Sequence, residues 1–143
     1  EMGHVAGSEL DGRTIPYDNS LEGLVSKKKD FIGKRSLNRT AFVAEDRQKV
    51  VGVVPIDKKT SIPEGSHLVK DAKAKLPNPK LGHVSASCWS VEYNNPFSLA
   101  ILHDGKNMIG QKLFALSPLK NKSIPVEIVS SHYVDPKGER VRS

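Results

Sequence analysis

The residues able to do chemistry are few. Five histidines, His4, His67, His83, His103 and His132, offer acid–base or metal-binding groups. No two stand at the H-x-x-x-H or H-E-x-x-H spacing that aims both rings at one zinc ion from a helix. One cysteine, Cys88, has no partner for a disulfide or a zinc knuckle. Set between Ser87 and Trp89 in an apolar run, it reads as a small buried residue. The tightest charge run is Lys27-Lys28-Lys29, with Lys34 and Arg35 close behind. It reads as a solvated turn, or as a place where one or two ammonium groups hold an anion. No G-x-G-x-x-G or P-loop cradles a phosphate, and no G-x-S-x-G elbow presents a nucleophile.

The chain around these groups has 143 residues, 37% hydrophobic and 27% charged, enough for one domain with a modest core. No apolar run approaches the roughly 18–20 residues that cross a membrane. There is no basic-then-apolar leader, and a lone thiol suits a reducing cytoplasm. The chain opens at Glu1 rather than Met, which suits a piece of a larger protein. The net charge is +6 and the pI near 9.5, so an RNA-binding basic β-barrel is one reading. Aromatics at 6%, with none interleaved closely in the lysine run, argue against base stacking.

Three zones position the candidate groups. In residues 1–43, Asp11-Gly12 predicts a tight turn with the positive φ such turns use. Leu21, Leu24 and Val25 suggest a short element, and Gly33-Lys34-Arg35-Ser36-Leu37 opens a short helix. In residues 44–80, Val50-Val51-Gly52-Val53-Val54-Pro55 reads as a strand from its β-branched residues. Pro63-Glu64-Gly65-Ser66 is a turn, His67-Leu68-Val69 a short strand, and 71–80 an exposed loop. Residues 81–143 read as strand after strand: Leu81–Ser85, Phe97–Leu102, Lys112–Leu116 and Pro125–Val129, with a turn at Asp104-Gly105. In the last of these Val and Ile share one face and Glu the other. The expectation is a mainly β (α+β) chain with about six strands from about residue 48 onward, in a barrel or sandwich.

Several segments, in order, resemble the glycine-cleavage T-protein, or aminomethyltransferase-like, folate-binding family. Asp30-Phe31-Ile32-Gly33-Lys34-Arg35-Ser36-Leu37 resembles its D-F-I-G-K-x-x-L motif. Leu10 to Pro16 resembles D-x-x-T-x-P, and Val51-Gly52-Val53 is similar to its L-V-G-L strand. Pro63-Glu64-Gly65 resembles the x-x-E-G turn, and Leu81 to Ser87 the G-x-V-T-S strand. Ile109-Gly110 and the stretch Tyr133 to Arg140 resemble the G-x-x-L and F-Y-D-P-x-G-x-R ends. Within the family, the wording of residues 25–37 and 82–90 is nearest to sarcosine oxidase alpha subunits. Val91 departs from it, standing where the family has Pro after the W-S pair.

The resemblance implies a C-terminal Greek-key or jelly-roll-like β-barrel of about six strands, preceded by a partial segment of a folate-binding domain. Residues 1–43 would be the tail of that domain and connector, and 44–143 the barrel domain. It implies a part in a hetero-oligomeric oxidase that demethylates sarcosine to glycine. The products would be hydrogen peroxide and 5,10-methylenetetrahydrofolate. Tetrahydrofolate would be this region's ligand. FAD, FMN and NAD would belong to the parent complex, outside this chain. The other subunits and folate would be its partners, with no nucleic acid and no membrane. Glu1 matches the E-x-G at which the family places a pterin-binding glutamate, and a carboxylate can accept the adjacent pterin N–H and amino donors. Lys28, or its neighbours Lys27 and Lys29, would pair with the folate glutamate tail, and Trp89 would line the cavity or pack in the core. The family's catalytic aspartate lies in a region that these residues do not include. No catalytic residue is therefore assigned, and the isolated chain is expected to be inactive. Alternatives are an aminomethyltransferase, a dimethylglycine oxidase or dehydrogenase C-terminal domain, and a non-catalytic folate-binding module.

Overall fold

The computed structural model describes residues 9–73, 80–140 and 142. Six strands form a closed antiparallel barrel: β1 (Gln48–Pro55), β2 (His67–Val69), β3 (Gly82–Ser90), β4 (Asn95–His103), β5 (Lys112–Ser117) and β6 (Lys122–Val129). Around the barrel the order is β1-β4-β3-β2-β5-β6. β2, β3 and β4 follow one another as neighbours, and β1 returns beside β4, which is a Greek-key arrangement. Closure of β6 onto β1, with Val53 opposite Ile128, leaves the barrel without open edges.

The core follows from alternation. In β6, Ile124, Val126 and Ile128 point inward while Glu127 faces solvent. They meet Val51, Val53, Leu68, Val84, Ala100, Leu102, Leu113 and Ala115 from the other strands, with Ile62 and Met108 from the connections. β1 does not alternate, since Val50 through Pro55 are all buried. Val50 faces away from the barrel core but lies beneath the N-terminal segment.

That segment crosses the outside of the barrel in short turns. It has 3-10 turns at Pro16–Asn19, Glu22–Leu24 and Ser36–Asn38, then a single helical turn, α1 (Thr40–Val43). The Asp11-Gly12 turn is present, closed by Thr14 N–H donating to the Asp11 carbonyl at 3.1 Å. It forms without positive φ at either residue. Instead the Asp11 carboxylate accepts the Arg13 N–H at 2.8 Å, a side-chain-built turn. At Pro63–Ser66 the expected turn has Gly65 at φ 75°. The expected loop at 71–80 falls partly on residues 74–79, outside the described residues.

β3 differs most from expectation, running to Ser90 rather than ending at Ser85. A bulge between Val84 and Ala86 shifts its register on β4. β2 pairs with its first residues, His83 opposite His67. Farther along, Ser87 is tied to the 62–66 connection by its hydroxyl on the Ile62 carbonyl at 2.7 Å. From Cys88 to Ser90 the ladder partner is β4 alone, so this end forms an arm beyond the barrel wall. Cys88 is therefore exposed rather than buried, and Trp89 is 53% exposed rather than packed in the core.

Candidate functional site

One arginine fastens the N-terminal segment to the barrel. Arg47, just before β1, donates from Nε to Asp18 Oδ1 at 2.9 Å, and its terminal nitrogen also meets Asp18 Oδ2. The same guanidinium donates to the carbonyls of Ala41 at 2.8 Å and Arg13 at 3.0 Å. Asp18 is buried and also accepts the Ile15 N–H at 3.0 Å. The hydrogen bond to Asp18 raises the Arg47 pKa, so the guanidinium keeps its charge. Arg47 also lies over the Phe42 ring, 5.1 Å from its centroid.

Beside this pair is a cleft of about 410 Å³ between the N-terminal segment and the outer faces of β1, β3 and β4. Asn19, Arg47, Lys49, His83 and His103 line it. Gln48 Nε2 lies 2.9 Å from His103 Nε2. Asn19 is 3% exposed, and its Oδ1 has no partner among the described residues. The cleft therefore carries hydrogen-bonding groups of both signs. No group of three or more His, Cys, Asp or Glu among the described residues is placed to hold a metal.

The pKa of half-buried His83 is lowered from 6.5, first by burial and then by the positive charges of Lys80 and His67, with Glu9 opposing. Below pH 6.5 the unfolded chain takes up a proton that the folded chain resists, so this residue's effect is to lower stability as pH falls. His83→Gln is expected to flatten the stability curve between about pH 7 and about pH 5, read from urea midpoints. An unchanged slope would remove His83 from the acid response.

Of the residues expected from sequence to bind folate, two, Lys28 and Trp89, are among the described residues. Glu1 lies outside the described residues. Lys28 is exposed on the loop after the Glu22–Leu24 turn, and Trp89 stands on the β3 arm. Neither lines the junction cleft or the two smaller clefts of about 270 and 130 Å³. The arm itself is braced from one side. Tyr133 stacks on Phe97 with centroids 4.8 Å apart and meets Tyr93 at 4.7 Å. Arg140 pairs with Glu92 at 2.7 Å. Trp89→Ala should therefore change stability by no more than about 0.5 kcal/mol in a urea titration, as for an ordinary surface site. A larger loss would show that Trp89 is a structural strut.

Sequence reading missed the Asp18–Arg47 hub and the junction cleft. Asp18 falls in the Pro16-Tyr17-Asp18 stretch, but its partner is 29 residues away and no local pattern pairs them.

No protein-family model matches the chain. It is 37% identical over 143 residues, 99% of its length, to sarcosine oxidase subunit alpha of Rhizobium meliloti (strain 1021). It is 36% identical over 138 residues to the subunit of the same name from Corynebacterium sp. (strain U-96). In both cases it spans only 14% of the relative. Among solved structures, glycine cleavage system aminomethyltransferase T from Bartonella henselae superposes on 90% of the chain, 34% of that protein, with a TM-score of 0.64 at 20% identity. That likeness is one of fold. The chain is thus a homologue of one segment of sarcosine oxidase alpha subunits, built on the barrel of the aminomethyltransferase fold.

Proposed function

We propose that the chain works as the C-terminal part of a sarcosine oxidase alpha-type subunit, where it helps form the tetrahydrofolate-binding half. The observation that carries this reading is the end-to-end match, at 37% identity, to a subunit of that name. On this reading residues 1–43 are the tail of a folate-binding domain, 44–143 are its barrel domain, and the assembly is cytoplasmic. The complex oxidises sarcosine to glycine with hydrogen peroxide as a product, and the one-carbon unit leaves on tetrahydrofolate. The FAD, FMN and NAD of the parent complex lie outside this chain, and the chain alone has no activity.

The residues present suit one wall of a folate site. Trp89 offers an exposed aromatic face for a flat pterin, and Lys28 an exposed cation for a glutamate tail. Glu1 is assigned the pterin donors. Enclosure does not come from the described residues, so neighbouring polypeptide supplies the other walls. Tetrahydrofolate supplies the nucleophilic nitrogens that take up the one-carbon unit. The test is product analysis in the assembled oxidase. Lys28→Glu with Trp89→Ala should divert product from 5,10-methylenetetrahydrofolate to free formaldehyde while sarcosine turnover is kept. An unchanged ratio of the two products would overturn the assignment of these residues.

A further inference from the structure

A second cleft lies on the outer face of the barrel, over β2 and β5. These strands pair His67 with Leu116 and Val69 with Phe114. The cleft measures about 270 Å³. Its wall includes Val69, which is 2% exposed, and Leu116. Its polar groups are His67, Lys80, Asn121 and Lys122, with the hydroxyls of Ser117 and Ser123. Among the described residues that line it there is no Asp or Glu.

The charge is a property of the two segments that bound the cleft. The stretch after β2 carries Lys70, Lys73 and, at its far end, Lys80; the β5–β6 turn carries Lys120 and Lys122. Asp71 is the one acid in the described parts of these segments; it does not line the cleft, and its carboxylate accepts the Lys73 N–H at 2.9 Å. The turn is held in shape by Asn121 in the left-handed region at φ 46° and by its N–H donating to the Pro118 carbonyl at 3.2 Å. The positive field reaches the neighbouring strand, where Lys80 and His67 both disfavour protonation of His83. Ammonium groups in excess over carboxylates around an apolar wall favour a ligand with an anionic head and a carbon body.

We propose that this cleft is a binding site for a small organic anion, a carboxylate or phosphate on an apolar body, held between Lys80 and Lys122 with the body against Val69 and Leu116. It is independent of the folate reading, which uses other residues. The site binds the aryl phosphate more tightly than the bare ion, because only the former fills the apolar part.

The experiment is an NMR titration of the 143-residue chain with phenyl phosphate and, separately, with inorganic phosphate, following the His67 ring and Leu116 methyl signals. Phenyl phosphate should shift both saturably and bind at least tenfold more tightly than inorganic phosphate. Lys80→Glu and Lys122→Glu should each weaken it at least tenfold. Lys106→Glu, in the 3-10 turn Gly105–Met108 beside β1, should not. Lys80→Met and Lys122→Met, which keep most of the side chain, serve if either charge reversal unfolds the chain. Equal binding of the two probes, equal sensitivity to Lys106→Glu, or no shift at His67 would each overturn the proposal and leave diffuse surface charge as the explanation.

Discussion

Arg47→Ala is expected to cost about 3–5 kcal/mol, because it leaves the Asp18 carboxylate buried without its cation. Asp18 has a side chain only 8% exposed. The substitution also removes the donors to the Ala41 and Arg13 carbonyls, so the segment from Arg13 to Ala41 is held less firmly to the barrel. The weaker hold should appear as faster amide exchange in the N-terminal segment, with the barrel strands still protected. The double variant Arg47→Met/Asp18→Leu should recover most of the loss, since removing both charges leaves nothing unpaired. A denaturation midpoint for Arg47→Ala within about 0.5 kcal/mol of the parent would show that the pair is incidental.

Gly82→Ala is expected to be the most damaging single methyl in the barrel. A Cβ at Gly82 would stand 2.0 Å from the Ile101 carbonyl oxygen and 2.9 Å from Leu102 Cα. Both are backbone atoms of β4, which cannot rotate aside as a side chain can. Gly82 is itself paired on both sides, with Leu68 of β2 and Leu102 of β4. Relief therefore requires the ladder to part, at a cost of about 3 kcal/mol or more. Gly65 provides the contrast. It sits at φ 75° with open space around it, so Gly65→Ala should cost only about 1 kcal/mol through backbone strain. Urea titrations of the two variants settle the matter, and equal losses would contradict the close-approach account of Gly82.

These residues mark how far the sequence could be read. β6 was legible because its Val and Ile alternate with Glu127. β1 was legible from its β-branched run, although the reason for the continuous burial, the N-terminal segment lying over Val50, was not. The glycine before His83 was visible as part of a motif, but only the approach of the Ile101 carbonyl explains it. The outer half of β3 was missed because Ala86-Ser87-Cys88-Trp89-Ser90 shows no apolar alternation. Its strand form comes from β4 and from contacts to Ile62 and Glu64 far away in sequence. For the same reason Cys88 reads by residue type as buried, and Trp89 as lining a cavity or packing in the core, whereas the arm leaves both exposed.

The candidate site was legible to a lesser degree. Single residues of the right type, Lys28 and Trp89, could be named from the resemblance, but neither lines any of the three clefts found among the described residues. The groups that the structure does gather, Asp18, Arg47, Asn19, His83 and His103, come from four separate stretches joined by the Greek-key crossover of β4 next to β1. No spacing rule links positions brought together in that way.

On the proposed function, this chain forms one wall of a reduced-folate site. That role is tested most directly by calorimetric titration of the complete assembled protein with folinic acid, for the parent and for Lys28→Glu/Trp89→Ala. The expected result is saturable binding that the double variant weakens at least tenfold with its unfolding midpoint unchanged. An affinity equal in the two proteins would contradict the account.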